Sequence, residues 1–165
     1  MLLHQALGVV LAAIAMNAIA APMGSKHNLY LATCSKQTII PDCPLIILCP
    51  RQRAATYTAV AYYANGPIES NRNKNPTQIA TVSNPAAPWE GTQRVAKLGR
   101  AGDFASNIDA GARNLAKSAI AGEAKLGTEE FVCFKDGESA FTVRDELDIP
   151  EYSCKADYWC ASIQV

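Results

Sequence analysis

The chain has 165 residues, of which 49% are hydrophobic and 18% charged, and its 15 Lys and Arg residues balance 15 Asp and Glu residues. A formal charge of zero gives no general attraction to nucleic acid, so a basic nucleic-acid-binding groove has no support. The length allows one domain with a modest hydrophobic core, and we expect no second domain.

The N-terminal segment resembles an export signal. The first 21 residues contain no Lys, Arg, Asp or Glu, and residues 6–15 are almost wholly apolar. Ala18-Ile19-Ala20 supplies the small-x-small pattern that signal peptidase cleaves. We place the cleavage after Ala20, because a cut after Ala21 would leave Pro22 beside the scissile bond. Residues 1–20 are therefore the predicted signal peptide and residues 21–165 the single secreted domain, with a membrane anchor of similar length as the alternative.

Six cysteines follow the predicted signal: Cys34, Cys43, Cys49, Cys133, Cys154 and Cys160. An even number of cysteines in an exported chain predicts disulfides, here three, although the sequence does not choose among the possible pairings. A zinc site is disfavoured because no CxxC pair occurs and His27 is the one histidine left after cleavage. We expect no metal and no cofactor.

The secreted part has the pattern of a mainly β protein. Short runs rich in Tyr, Val, Ile, Thr and Phe alternate with Gly, Pro, Asn and Asp, which predicts a small disulfide-stabilised β-sandwich or barrel-like domain. The polar residues 69–76 predict an exposed loop, and Asp136-Gly137 predicts a tight hairpin turn between its two flanking strands. The predicted strands are residues 28–34, 45–49, 56–64, 78–83, 93–98, 131–135, 139–143 and 158–164.

One segment departs from this pattern. Residues 107–121 are rich in Ala and place Ile108, Ala112 and Leu115 near helical spacing. Gly111 weakens a helix there. We expect one short helix in this segment, with a strand over part of it as the alternative.

Charge is unevenly distributed along the secreted part. Residues 21–102 hold nine Lys and Arg against three acidic residues, whereas residues 103–165 hold six against twelve. If the two halves pack on each other, their charges neutralise locally. If they form separate faces, the resulting dipole would steer the protein onto a charged partner.

Catalytic motifs are not apparent. A Ser-His-Asp or Cys-His site needs a base, and His27 lies close to the predicted N-terminus. Glycoside hydrolysis needs two carboxylates facing a sugar cleft. The acidic candidates are Glu129, Glu130, Asp145, Glu146 and Asp148. Clustered acids more often form a solvated face, so we expect no enzyme and no catalytic residue.

Aromatic side chains offer another route to function. Tyr and Trp anchor many protein interfaces, but in a small β domain they more often build the core. The candidates are Tyr57, Tyr62, Tyr63, Trp89, Tyr158 and Trp159. The sequence does not say which of them would bind a partner.

Several segments spread over the secreted part carry a family resemblance. They are LATC at 31–34, TAVAYYANGP at 58–67, WEGT at 89–92, FASNIDA at 104–110, FVCFKDG at 131–137 and DYWCAS at 157–162. Together they resemble the necrosis-inducing secreted protein 1 family, secreted effectors of filamentous fungi.

The resemblance implies a virulence protein that is secreted during plant infection and suppresses pattern-triggered immunity. It would do so by binding host immune kinases, a receptor-associated co-receptor kinase and a receptor-like cytoplasmic kinase, and strong expression would provoke cell death. Such partners imply entry into the host cytoplasm, where disulfides are less secure. The family supplies no binding motif to carry over onto this sequence.

Two other functions remain open at this point. An apoplastic protease inhibitor would use a disulfide scaffold with an exposed loop such as residues 69–76. A small secreted hydrolase would need two of the acidic residues named above to face a substrate cleft. We expect no nucleic-acid partner, because the formal charge is zero. We also expect no membrane anchor, because no second apolar run approaches spanning length.

Overall fold

The computed structural model describes residues 25–36, 55–68, 75–144 and 150–164. This part of the chain is built from strands, so the mainly β prediction is confirmed. The strands are β1 Asn28–Lys36, β2 Thr56–Tyr63, β3 Gln78–Ser83, β4 Arg94–Leu98, β5 Gly102–Ile108, β6 Ile120–Leu126, β7 Glu129–Lys135, β8 Ala140–Arg144 and β9 Pro150–Ser162. Within these ranges no helix has the length and apolar character needed to cross a membrane.

The strands form one antiparallel sheet in the order β3-β2-β1-β9-β7-β6-β5-β4, and β8 pairs with β9 beside that path. The two end strands, β3 and β4, approach each other without pairing. Val82 of β3 and Ala96 of β4 pack against one common core. The sheet therefore curls into a nearly closed barrel with a seam between β3 and β4.

Strand β9 holds the sheet together. One edge of β9 pairs with β1 from Tyr152 to Ala161. The other edge pairs first with β8 and then, from Tyr158 to Ser162, with β7. The last predicted strand, residues 158–164, thus covers only the second half of a 13-residue strand.

The hairpin predicted at Asp136-Gly137 is wrong. Strands β7 and β8 do not pair with each other, but lie one after the other along the same edge of β9. The backbone N–H of Asp136 donates to the carbonyl of Asp157, and that of Gly137 donates to the carbonyl of Ala156. Hydrogen bonds to a distant strand therefore take the place of a local two-residue turn.

The strands β1 and β2 are buried on both faces. Leu29, Leu31 and Val60 point into the barrel, where the large buried side chains include Phe104 and Phe131. The residues that alternate with them along β1 and β2 face outward into a second core, which β8 and Ile68 cover. This second core contains Tyr30, Ala32, Ala59, Ala61, Tyr63 and Phe141. Burial on two sides accounts for the near-continuous apolar runs in these strands.

Two disulfides join neighbouring strands at directly paired positions. Cys34 of β1 bonds Cys154 of β9, and Cys133 of β7 bonds Cys160 of β9. They close loops with sequence separations of 120 and 27 residues. The chain-entropy relation gives each a stabilisation of roughly 3 to 5 kcal/mol. Cys43 and Cys49 lie outside the described residues, so the third predicted bridge stays a prediction.

The helix predicted over residues 107–121 is also wrong. The segment contains the end of β5, a 3₁₀ turn at Ala112–Asn114 and the start of β6. Ile108 and Ala112 are buried, but Leu115 and Ile120 face solvent, so the apolar residues do not share one buried stripe. The alternative, a strand over part of the segment, is confirmed at both ends.

Some predictions lie outside the described residues. They concern the signal peptide at residues 1–20, the strand at 45–49 and most of the loop at 69–76. At the end of that loop, the Asn75 side chain donates to the carbonyl of Arg144 and accepts from its N–H, at 2.8 and 2.9 Å. The last residues of the loop are thus anchored to the end of β8.

Gly122 is required where β6 passes β5. Its φ is +149°, and a Cβ there would collide with the carbonyl oxygen of Asn107 and lie 2.9 Å from Cα of Ile108. We predict that Gly122→Ala lowers the free energy of unfolding by about 3 kcal/mol, because strain and a backbone collision act together. Gly111→Ala is the control, because φ is −87° and a Cβ there meets nothing within 4 Å.

The control substitution should change stability by less than about 1 kcal/mol. Urea unfolding of both variants measures the difference. Equal midpoints for the two alanine variants would refute the close packing of β6 on β5.

Candidate functional site

The six aromatic candidates divide between core and surface. Tyr62, Tyr63, Trp89 and Tyr158 are buried, as the core interpretation predicts. Tyr57 is half-buried and packs edge-on against Tyr152 at 5.4 Å between ring centroids. Trp159 is half-buried on the outer face of the sheet.

The acidic candidates in the described part of the chain do not form a facing pair. Glu129 accepts a hydrogen bond from Ser162 and lies 2.9 Å from His27 Nδ1. These contacts tie the beginning of β1 to the β7 and β9 termini. Glu130 is exposed, and Asp145, Glu146 and Asp148 lie outside the described residues. No group of three or more metal-ligating side chains occurs in the described ranges.

An apolar row crosses the outer face of the sheet. Tyr30 pairs with Trp159, Trp159 with Phe134, and Phe134 with Ile120. The rings of Phe134 and Trp159 stack with centroids 5.4 Å apart, and the Trp159 indole N–H donates to Asn28 Oδ1 at 2.9 Å. The second core covers Tyr30, but Trp159 and Phe134 are half-buried and Ile120 is 67% exposed.

The neighbouring row extends this apolar surface. Val132 and Ala161 pair across β7 and β9 and are half-buried. Ile163, just beyond β9, is 54% exposed. We name the outer-face side chains of Ile120, Val132, Phe134, Trp159, Ala161 and Ile163 the β6–β7–β9 ridge. Exposed Glu123 and Glu130 border it.

A second feature is a cleft beside an irregularity in β9. The pairing of β9 with β1 passes from Leu31–Tyr158 to Ala32–Ala156, so Asp157 is an extra residue with no partner on β1. This bulge reverses the two faces of β9: Ala156 faces the second core, and Tyr158 faces the barrel interior.

Asp157 borders a cleft of about 430 Å³, which we name the Asp157 cleft. Its walls come from β1, β7, β9, the connection before β4 and the 3₁₀ turn. The lining residues are Thr33, Ala86, Ala87, Pro88, Trp89, Glu90, Arg113, Lys135 and Asp157.

Glu90 is held ionised at the cleft wall. Its Oε1 accepts from the Tyr158 hydroxyl at 2.6 Å, and the Arg113 guanidinium lies 3.5 Å from Oε2. Burial acts to raise the pKa of Glu90, but the hydrogen bonds from Tyr158 and from its own backbone, together with Arg113, outweigh burial and lower the pKa.

Asp157 is shifted in the opposite direction. Its Oδ2 accepts from the Thr33 hydroxyl at 2.8 Å. Burial raises its pKa, the nearby Glu90 charge adds to that rise, and Thr33 and Lys135 only partly offset it. The cleft thus holds two carboxyl groups whose pKa values are shifted in opposite directions.

Lys135 completes the polar lining. Its Nζ lies 4.6 Å from the centroid of the Tyr158 ring and 3.4 Å from the carbonyl oxygen of Asp157. The ring contact is a cation–π interaction that holds the ammonium group near the bulge. The two positive charges of Lys135 and Arg113 equal in number the two carboxyl groups of the cleft lining.

The sequence did not identify Glu90 and Asp157 as candidates. They are 67 residues apart, and only the barrel brings them together. The available signal was an acidic residue next to the aromatic pair Tyr158-Trp159, at the edge of a predicted strand.

Comparison with protein-family models, with curated proteins and with solved structures found no match.

The raised pKa of Asp157 gives a pH-dependent prediction. A carboxylate whose pKa is raised on folding costs no stability below its unfolded pKa of 3.8; the cost grows as the pH rises from there through the folded pKa, above which it is complete. Asp157→Asn keeps an acceptor for Thr33 but removes the charge. We predict that this variant gains stability relative to the native protein as the pH rises from 3 to 7, measured by urea unfolding across that range.

The control variant removes an exposed acidic side chain from a strand that does not line the cleft. Asp103→Asn on β5 controls for the loss of one negative charge, since Asp103 is exposed and lies on another strand. A stability difference for Asp157→Asn that shrinks or reverses towards pH 7 would contradict the assignment.

Proposed function

We propose that this protein is a secreted fungal effector that suppresses plant pattern-triggered immunity by binding and inhibiting host immune receptor-associated kinases, and that its strong expression provokes host cell death. We further propose that the β6–β7–β9 ridge is its contact surface. The observation that carries the proposal is the stacked Phe134–Trp159 pair beside the exposed Ile120.

The composition of the ridge supports a protein partner. Aromatic side chains at the centre of a patch give large contact areas at low conformational-entropy cost, and they are enriched among the residues that dominate binding energy. Phe134 and Trp159 are fixed by stacking, and Asn28 fixes the indole further. Little side-chain freedom is therefore lost on binding.

The surroundings of the ridge also fit an interface. Ile120 and Ile163 extend the apolar surface at its two sides, and exposed acidic residues provide a polar rim. The kinase identity comes from the family resemblance. A kinase surface that presents an apolar patch beside Lys or Arg would match both features.

The test is a pull-down with residues 21–165, tagged at the N-terminal end because Ile163 lies at the other. Native protein should recover the receptor-associated kinases from plant extract. Ile120→Asp should lower that recovery by roughly tenfold or more, because binding would bury an unpaired carboxylate. The substitution should leave folding unchanged, since Ile120 is 67% exposed.

Val95→Asp is the matched control. Val95 is also a branched apolar residue on an outer strand face and is 62% exposed, but it lies on β4. This variant should recover as much kinase as native protein. No kinase recovery by the native protein under either oxidising or reducing conditions would refute the proposed partner. Equal loss in both variants would refute the ridge as the contact surface.

A further inference from the structure

We propose that the Asp157 cleft binds a neutral polyhydroxylated ligand, a sugar residue of a glycan, at a site separate from the proposed kinase-contact ridge. None of the ridge residues lines the cleft. The inference rests on the cleft's charge arrangement, on its unused hydrogen-bonding groups and on the rigidity of its walls.

The charges of the cleft are paired locally. Arg113 lies beside Glu90, and Lys135 lies beside Asp157. A phosphate or carboxylate ligand would be repelled by Glu90 and Asp157, whereas an amine would be repelled by Lys135 and Arg113. An amino-acid zwitterion would need the cations at one end and the acids at the other. Paired opposite charges instead suit hydroxyl groups, each of which donates to a carboxylate and accepts from a cation.

Hydrogen-bonding capacity remains in the cleft walls. Among the described residues, Asp157 uses Oδ2 for Thr33, and no contact occupies Oδ1. Lys135 has three donors, of which one reaches a carbonyl at the long distance of 3.4 Å. Trp89 also lines the cleft. It is 2% exposed, and its indole N–H is buried without a hydrogen-bond partner, so the indole reports on the cleft wall and is not an open donor.

The cleft is organised before any ligand arrives. Thr33 orients Asp157, and Tyr158 orients Glu90. The opposite wall is fixed by Thr58, whose hydroxyl bonds both the N–H and the carbonyl of Ala87. The Arg94 guanidinium also donates to the carbonyl of Pro88. Groups fixed in advance bind a weakly interacting hydroxyl ligand without an ordering cost.

The size agrees with a sugar ligand. Ligand sites in proteins typically occupy roughly 300 to 1,000 Å³, and the cleft has about 430 Å³. That volume accommodates one or two sugar rings at the end of a chain. The inference therefore concerns a short segment of a neutral glycan.

The experiment titrates the ¹⁵N-labelled secreted protein with cellotetraose, xylotetraose, laminaritetraose and N-acetylchitotetraose at millimolar concentration. Inorganic phosphate and tetragalacturonic acid serve as charged comparators. At least one neutral sugar should cause saturable shifts of the Trp89 indole N–H and of the Lys135 and Asp157 amides. No saturable shift from any of the four sugars would overturn the proposal, as would tighter binding of a charged comparator.

Two variants on different strands test the site itself. Asp157→Asn and Lys135→Met should each weaken the binding of the sugar by roughly tenfold, because each removes a charge-assisted hydrogen bond. Asp103→Asn and Ile120→Asp should leave the sugar affinity unchanged. Shifts that map outside the cleft, or unchanged affinity in both cleft variants, would overturn the proposal. Kinase recovery by Ile120→Asp is measured separately, so failure of one site is distinguishable from failure of the other.

Discussion

The pairing of both edges of β9 is the constraint on which the rest of the domain depends. β1 occupies one edge, β8 and β7 share the other, and two disulfides attach β9 to β1 and to β7. The bulge at Asp157 lets this one strand serve two cores, since the faces of β9 exchange there. The same bulge leaves Asp157 at the cleft, and two residues later Trp159 reaches the outer ridge.

Strands were predicted correctly where their own residue types favour a strand. β3 was predicted at its observed bounds, and β1 and β2 to within a residue or two, because apolar, β-branched and aromatic residues make up most of each strand. Apart from their ends within residues 107–121, β5 and β6 were missed, because Gly, Ala, Ser and charged residues make up most of each strand. Their strand structure comes from neighbours, as the approach of Gly122 to β5 illustrates. The false hairpin at Asp136-Gly137 has a similar cause, since distant carbonyls of β9 outcompete a favourable local turn.

The candidate sites were less predictable than the strands. Tyr158 and Trp159 are adjacent and looked alike in the sequence, yet one lies in the barrel and the other on its surface. Their faces follow from the bulge, which depends on the register between β9 and β1. Glu90 and Asp157 come to line one cleft only through the curvature of the sheet. The disulfides illustrate the intermediate case: the sequence predicted bonded cysteines, but the pairing of Cys34 with Cys154 required the register.

Native-state hydrogen exchange of the protein tests the central role of β9 most directly. Amides of β9 between Cys154 and Cys160, and their partners on β1, should exchange only through global unfolding, because they are hydrogen-bonded within buried, doubly paired strands. Amides of β3 and β4 should exchange earlier, through opening of the unpaired seam. If β9 amides instead exchange as fast as those of β3 and β4, then β9 is not the element that holds the domain together.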